Sequence, residues 1–444
     1  MLKKAMFAAM ALTLALTAGC SFLGSDTQPL SAVNKPDVPD AERTTIVFWN
    51  ENAAADRTEY YRELIDWFEK ENPDIHVEYV GLPKKAARLK INTAIATNEM
   101  PDVCGLQSAW IAEFCAKGVL LDLDPYFDRC PYKDDLLPGV LQANRDLTED
   151  GGLYQLPDTM GMELLWYRSD WYREQGIDPP QTWDEFFADT AVMNHPEQGR
   201  YGFSIRGGDG AGIQLLRAMF AYSGDTSFFA SDGHCVIDDP VYVDFVRRYL
   251  GLYRKDTATG DITNGYQEMV AAFDFGQAAL IQHNIGSYGS HAKNLPSHAY
   301  AAAILPRSRK GTIVQEANNV DGYSIFRSSQ HKEAAWRFVQ FLCSPEVQSW
   351  WNERIGQIPV SQSALQDDWV SNRQHIQAAR EALDSPDFRL YEPPMYLPDY
   401  RRIVDGADAY IEQVMMGKMS VEDFLRTWAG QFEREEQKYR LNLQ

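Results

Sequence analysis

The sequence has no excess of basic residues. Its 444 residues include 42 Lys and Arg against 63 Asp and Glu, which gives a formal net charge of −21. Binding to nucleic acid or to an anionic membrane surface depends on Lys and Arg that neutralise phosphates. The composition therefore argues against both as partners. A negative net charge of this size favours solubility and does not predict a particular ligand.

Cysteines are few, and no C-x-x-C or zinc-ligand spacing occurs. Six are present, and the five that follow Cys20 are Cys104, Cys115, Cys130, Cys235 and Cys343. An odd number leaves at least one thiol free unless a partner chain supplies another. One disulfide among the three that lie closest in sequence, or free buried thiols throughout, are both open alternatives. We expect no metal site here.

Motifs of common catalytic sites are also missing. H-E-x-x-H is absent, and Gly202–Arg206 lacks the final glycine of G-x-S-x-G. The glycine-rich stretch Arg206–Gly212 misses the dinucleotide pattern and is followed by no phosphate-loop lysine. Carboxylate pairs for glycoside hydrolysis are not excluded by spacing, because 63 acidic residues offer many pairs. We expect no cofactor, and no motif in the sequence indicates a particular class of enzyme.

The start of the chain carries a basic and apolar segment. Lys3 and Lys4 precede an apolar run to Gly19, typical of a secretory signal and shorter than the roughly 20 residues of a membrane span. The small residues before Cys20 resemble a bacterial lipobox, which predicts a signal peptide over 1–19 and a lipid anchor on Cys20 in the cell membrane. An ordinary cleaved signal with an incidental Cys20 is the alternative. Both place the protein outside the cytoplasm.

The remaining chain reads as an α/β protein. Residues 20–43 are rich in Pro, Ser and Asp, which predicts a tether. The run at 45–49 predicts a strand, helical spacing at 61–68 predicts a helix, and alternation at 75–79 predicts a second strand. Helix starts are indicated at Thr182, Ser344 and Ser420. The chain is too long for one core, so we expect two lobes.

A series of segments occurs in a familiar order. The stretches in question are 45–50, 68–77, 100–103, 118–123, 154–157, 165–170, Pro180–Phe186, 275–280 and 331–336. Through them the chain resembles extracellular solute-binding proteins of family 1, the sugar receptors of ATP-binding-cassette importers that include maltose-binding protein. Each is weak alone, and their order is what identifies the family.

The resemblance implies a two-lobed periplasmic-binding-protein-like (type II) α/β fold with hinge crossings and a central cleft. It places the N-terminal lobe at 44–152 plus 304–344 and the C-terminal lobe at 153–303 plus 345–444. It implies a monomer that captures a mono- or oligosaccharide by lobe closure and delivers it to permease subunits. A non-sugar solute (polyol, glycerophosphodiester or peptide) is an alternative, as is a sensor or adhesion lipoprotein.

Candidate ligand contacts follow from strand ends, because ligands of open α/β sheets gather at the carboxyl ends of strands. Aromatic faces pack on sugar rings, while carboxylates and amides bind hydroxyl groups. Asn50 and Glu51 follow the first predicted strand directly. The other candidates lie in loops that match the family or in the glycine-rich stretch: Gln107, Ser108, Trp110, Asp158, Thr159, Arg206, Asp209, Asn284, Tyr288, Asn319 and Asp321. Tyr288 takes the place of a sugar-stacking Trp of the family.

Overall fold

The computed structural model describes residues 43–317 and 319–442. The predicted signal peptide, Cys20 and all of the predicted tether except Arg43 lie outside the described residues. Within them, no helix is both long enough and apolar enough to cross a membrane.

The strands belong to three sheets. In chain order they are β1 (Thr44–Asn50), β2 (Ile75–Gly81), β3 (Val103–Gln107), β4 (Leu156–Met160), β5 (Glu163–Tyr167), β6 (Tyr201–Phe203), β7 (Ala278–Asn284), β8 (Ala301–Ile304), β9 (Ile313–Glu316), β10 (Val320–Ile325), β11 (Ile358–Pro359) and β12 (Phe388–Tyr391). The first sheet has the order β11-β4-β10-β3-β1-β2, the second β6-β7-β5-β8, and β9 pairs with β12.

Helices connect and cover these sheets. They are α1 (Ala55–Glu71), α2 (Lys84–Thr97), α3 (Ile111–Ala116), α4 (Asp124–Phe127), α5 (Pro138–Arg145), α6 (Ser169–Gln175), α7 (Trp183–Val192), α8 (Ala211–Ser223), α9 (Pro240–Leu250), α10 (Tyr266–Asp274), α11 (Tyr288–Asn294), α12 (Lys332–Leu342), α13 (Pro345–Ile355), α14 (Asp368–Asn372), α15 (Gln374–Leu383), α16 (Tyr400–Met415) and α17 (Val421–Asn442).

The opening strand–helix–strand unit forms as the sequence predicts. β1 and β2 are parallel, with Ile46 opposite Val77. Helix α1 buries Leu64 and Phe68 on the apolar stripe that its spacing indicated. The Phe68 ring meets Phe338 of α12 at 5.0 Å, and Phe338 lies 5.2 Å from Phe48 of β1. Helices from distant parts of the chain thus cover one face of the first sheet.

The three predicted helix starts are all capped by side chains. Thr182 accepts a hydrogen bond from the Glu185 backbone N–H, and Glu185 accepts one from the Thr182 backbone, which is the predicted capping box of α7. Ser344 accepts from the Val347 backbone N–H at the start of α13. At α17, the hydroxyl of Ser420 accepts from the Asp423 N–H at 3.0 Å.

Sheet membership differs from the predicted lobe boundaries. Strands β4 and β11 lie in the first sheet, although their residues were assigned to the C-terminal lobe. Strand β8 belongs to the second sheet and ends at Ile304, one residue past the predicted boundary. The next strand, β9, packs against helix α8. The division into lobes stays a prediction, and sheet membership favours later boundaries. The pairing of β4 with β10 joins segments about 160 residues apart, which local patterns do not reveal.

The five described cysteines are free thiols. Cys104 and Cys343 are fully buried, and burial raises the pKa of both thiols well above the usual value. The structure therefore favours free buried thiols over a disulfide.

Candidate functional site

Strand ends of the first sheet bring several predicted residues to one edge. Strands β1 and β3 run parallel and end at Asn50 and Gln107. Strand β10 runs the opposite way and starts at this edge, so Asp321 pairs with Gln107. On its other side, Asp321 pairs with Thr159 of β4. The register alone therefore brings polar groups from four chain segments together.

The second sheet presents an equivalent polar edge. Strand β7 ends at Asn284, which pairs with Glu163 at the start of the antiparallel strand β5. Strand β6 runs parallel to β7 and leads directly into Arg206 and the loop before α8. The two edges meet across a cleft with a volume of about 200 Å³.

This cleft brings together nine of the thirteen predicted ligand contacts. Those on the side of the first sheet are Glu51, Gln107, Ser108, Trp110, Asn319 and Asp321. Those on the side of the second sheet are Arg206, Asp209 and Asn284. Contact with the solute stays a prediction for each of them.

Three predicted residues lie in a small pocket beside the cleft. Asn50, Asp158 and Thr159 line this pocket, which has a volume of about 20 Å³ and shares Glu51 and Asp321 with the cleft. The Asn50 amide donates to the Tyr61 hydroxyl at 2.9 Å, and the Thr159 hydroxyl donates to Asn352 at 3.1 Å. The side chains of Asn50 and Thr159 thus form hydrogen bonds within the protein. Contact with the solute stays a prediction for all three residues.

Tyr288 is not among the described residues that line the cleft. Its ring stacks on His375 at 3.9 Å, and its hydroxyl accepts a hydrogen bond from Arg373. A Cβ at Gly356 would lie 2.6 Å from the Tyr288 ring, so the backbone at Gly356 packs directly against this ring. The ring is packed between protein groups. The prediction that it stacks on a sugar therefore finds no support in this arrangement.

Sequence reasoning missed several charged and aromatic residues of the cleft. Lys84 follows β2 at the same sheet edge as Asn50, so the strand-end argument could have included it. Tyr266 starts α10 and donates to Asn284 at 3.3 Å. Other missed residues come from helices or the small sheet, where no local signal marks them: Arg88, Arg217, Glu316, Arg401 and Asp405.

Two acidic groups of the cleft are desolvated. Glu51 is 5% exposed, and its Oε1 accepts a weak hydrogen bond from Gln107 at 3.4 Å. Its Oε2 has no hydrogen-bond partner within the described residues. Burial raises the pKa of Glu51 and of Asp321, and the positive charge of Lys84 opposes both shifts. An unsatisfied buried oxygen at the cleft surface is a ready acceptor for a ligand hydroxyl.

A buried ion-pair group fixes the other wall. Arg217 of α8 lies 3.0 Å from Glu163 and 2.6 Å from Glu316. These carboxylates raise the pKa of Arg217 despite its burial. The group ties β5, α8 and β9 together, so its charges are balanced within the protein.

Contacts across the cleft hold the two walls close together. Arg88 of α2 lies 3.6 Å from Asp405 of α16, and the Lys84 ammonium stands 5.2 Å from the Tyr266 ring centroid. Helix α16 also packs against the turn at Ser108–Trp110. These contacts are those of a closed cleft between two sheets.

A cluster of three residues of the types that bind metal ions lies outside the cleft. It consists of His234, Asp238 and Asp239. His234 Nε2 is 3.0 Å from Asp239, and Nδ1 is 3.3 Å from Glu433 of α17. Each ring nitrogen of His234 thus has a carboxylate partner within the protein, which explains why these side chains lie together.

Two α/β sheets that face each other across a polar cleft define a two-lobed solute-binding protein. Residues 54–349 match the model of the bacterial extracellular solute-binding protein family. The chain belongs to this family.

Similar proteins agree with that assignment. A binding protein of Brucella abortus is 24% identical over 81% of this chain and 85% of its own length. The multiple sugar-binding protein of Streptococcus mutans is 22% identical over 76% of this chain and 80% of its own. The structure of the sugar-binding protein MalE from Xanthomonas citri superposes with a TM-score of 0.71 at 26% identity, covering 90% of this chain and 99% of that one.

Proposed function

We propose that this solute-binding protein captures a carbohydrate and delivers it to the membrane subunits of an ATP-binding-cassette importer. The observation that carries the proposal is the closed cleft, whose two walls offer hydrogen-bonding groups from opposite sheets. The sugar-binding relatives from Streptococcus mutans and Xanthomonas citri support the ligand class. The protein acts as a monomer and catalyses no reaction.

Closure of the two lobes couples capture of the solute to its delivery to the permease. A solute stabilises the closed form only if it contacts both walls there and fewer groups when the cleft is open. Gln107 on one wall and Asn284 on the other offer such contacts. The closed form is then the one that docks on the permease. A lipid on Cys20 keeps the protein at the outer face of the cell membrane, beside its permease.

A ligand panel tests the proposal. The protein without its signal peptide is melted with mono- and oligosaccharides (neutral and acidic), polyols and peptides, and hits are measured by calorimetry. A ligand at 100 times its dissociation constant adds about 2.7 kcal/mol of stability. We expect saccharide hits, weakened roughly tenfold by Gln107→Ala through loss of a hydrogen bond.

Gln366→Ala is the matched control, since it removes an exposed glutamine side chain outside the cleft. It is expected to leave affinity unchanged. Hits confined to polyols or peptides would contradict the carbohydrate class and leave the solute-binding family intact. No hit in any class would favour a sensor or adhesion role.

A further inference from the structure

Arg206 differs from Arg217, another half-buried arginine of the cleft. Arg217 has carboxylates at 2.6 and 3.0 Å, whereas the Arg206 guanidinium meets neutral partners. Arg206 Nη2 donates to His283 Nε2 at 3.1 Å, and Nη1 donates to the Gly210 carbonyl at 3.4 Å. Its Nε is buried and has no hydrogen-bond partner within the described residues. Two arginines in one cleft thus have opposite surroundings.

The neighbouring histidine supplies no negative charge. His283 is fully buried, and burial together with the positive charge of Arg206 holds its pKa well below the usual value. Burial likewise lowers the pKa of Arg206, although Glu163 and Asp209 oppose that shift from a distance. In the described part of the chain, neither carboxylate forms an ion pair with Arg206.

A second cation faces the same place from the other wall. The Lys84 ammonium lies 5.2 Å and the Arg206 guanidinium 5.7 Å from the Tyr266 ring centroid. Lys84 forms no ion pair in the described ranges, and its charge acts on Glu51 and Asp321 from beyond contact distance. Those two carboxylates are desolvated, which disfavours their charged forms.

The closed cleft therefore places two cations without ion pairs to any described residue against one tyrosine ring. Burying the Arg206 charge without an ion pair is costly, and an anion beside it offsets that cost, while the exposed Lys84 adds attraction from the other wall. The other arginines of the cleft have carboxylate partners, because Arg88 pairs with Glu113 and Asp405 and Arg401 pairs with Asp405. The two cations that lack an ion pair within the described chain thus both lie at Tyr266, while hydroxyl acceptors such as Glu51 lie towards the first sheet.

Resting on the function proposed above, we infer that the captured carbohydrate carries an anionic group, bound between Arg206 and Lys84 beside Tyr266. Arg206 donates from its free Nε, and Lys84 closes over the anion from the opposite wall. A sugar carboxylate and a sugar phosphate share this chemistry. The rest of the saccharide then reaches Gln107 and Glu51.

Matched sugars test this inference. Calorimetry compares glucose, glucuronate and glucose 6-phosphate, and galacturonate oligomers with their neutral galactose counterparts. We expect the acidic member to bind roughly 10-fold to 100-fold more tightly, and its affinity to fall with added salt. A preference for the uronate or for the phosphate identifies which anion is bound.

Variants assign the preference to the two cations. Arg206→Gln and Lys84→Gln are expected to abolish the preference for the acid, and Arg206→Lys to retain part of it. Lys90→Gln removes a charge from the same helix α2 outside the cleft and is expected to change nothing. Because Lys84 is exposed, its variant tests the inference even if the buried Arg206 variant fails to fold.

The outcomes separate the two proposals. Equal or tighter binding of the neutral sugars overturns the anionic inference and leaves the carbohydrate function standing. Binding of inorganic phosphate or an acidic non-sugar, sensitive to Arg206→Gln, without binding of any saccharide overturns the carbohydrate function and keeps the anion site. Failure to bind any of these probes overturns both.

Discussion

At the scale of single residues, Asp158 shows how burial changes the protonation of a carboxyl group beside the cleft. It is 3% exposed, and burial together with the negative charge of Asp321 raises its pKa to about 8. Its acid form is therefore the one that the folded protein favours at neutral pH. Neutral Asp158 beside Asp321 keeps two facing carboxyl groups from repelling each other.

A pH-dependent stability follows from this group. Its pKa is higher in the folded state than the ordinary 3.8, so its stabilisation is complete below about pH 4 and is lost as pH rises through about 8. We expect unfolding free energy to fall across this window, by at most about 1.4 kcal/mol per pH unit from this residue. Asp158→Asn should flatten the profile, measured by urea unfolding at several pH values.

The exposed Asp66 gives a control, because Asp66→Asn makes the same chemical change on the surface of α1. That variant is expected to keep the slope of the unmodified protein. If Asp158→Asn showed the same slope as Asp66→Asn, the carboxyl group would be ionised in the folded protein.

Residue-level prediction succeeded where local chain position decides the outcome. Asn50 and Glu51 were placed by the end of a strand whose pattern is visible in the sequence, and both reach the sheet edge. Gln107 was placed by likeness to the family and lies at the same edge. Tyr288 was placed by likeness to the family alone. Its stacking on His375 depends on a contact between residues 87 positions apart, which no local pattern encodes.

At the scale of secondary-structure elements, the capping box of α7 is a local signal with a measurable effect. Thr182 and Glu185 satisfy each other's backbone N–H groups at the helix start. We expect Thr182→Ala to destabilise the protein by about 1 kcal/mol. Urea unfolding monitored by circular dichroism measures the change.

Thr182→Ser retains the hydroxyl and is expected to recover most of the lost stability. An equally large loss in Thr182→Ser would show that the methyl group, and not the cap, is responsible. The Glu185 carboxylate also accepts from the Gln181 N–H at 2.8 Å, so Glu185→Ala should weaken the same helix start.

Elements were predictable where their pattern is short-range. The first strand–helix–strand unit follows from apolar spacing and alternation and appears as expected. The two-residue strand β11 does not follow from such a pattern. It exists because it pairs with the edge of β4, as Ile358 opposite Met160 shows.

At the scale of the whole molecule, function depends on the relation between two polar sheet edges. The α/β class and two-lobed architecture were predictable, because ordered motifs along the chain identify the family. The makeup of the cleft was only partly predictable. Arg88 and Asp405 lie more than 300 positions apart, and only the closed cleft brings them within 3.6 Å.

The central claim is that a carbohydrate binds between these edges and holds the cleft closed. A crystal structure of the protein with a saccharide hit from the panel tests it most directly. We expect the saccharide in the cleft, hydrogen-bonded to Gln107 or Glu51 on one wall and to Arg206 or Asn284 on the other. A saccharide bound to one wall alone, or outside the cleft, would contradict it.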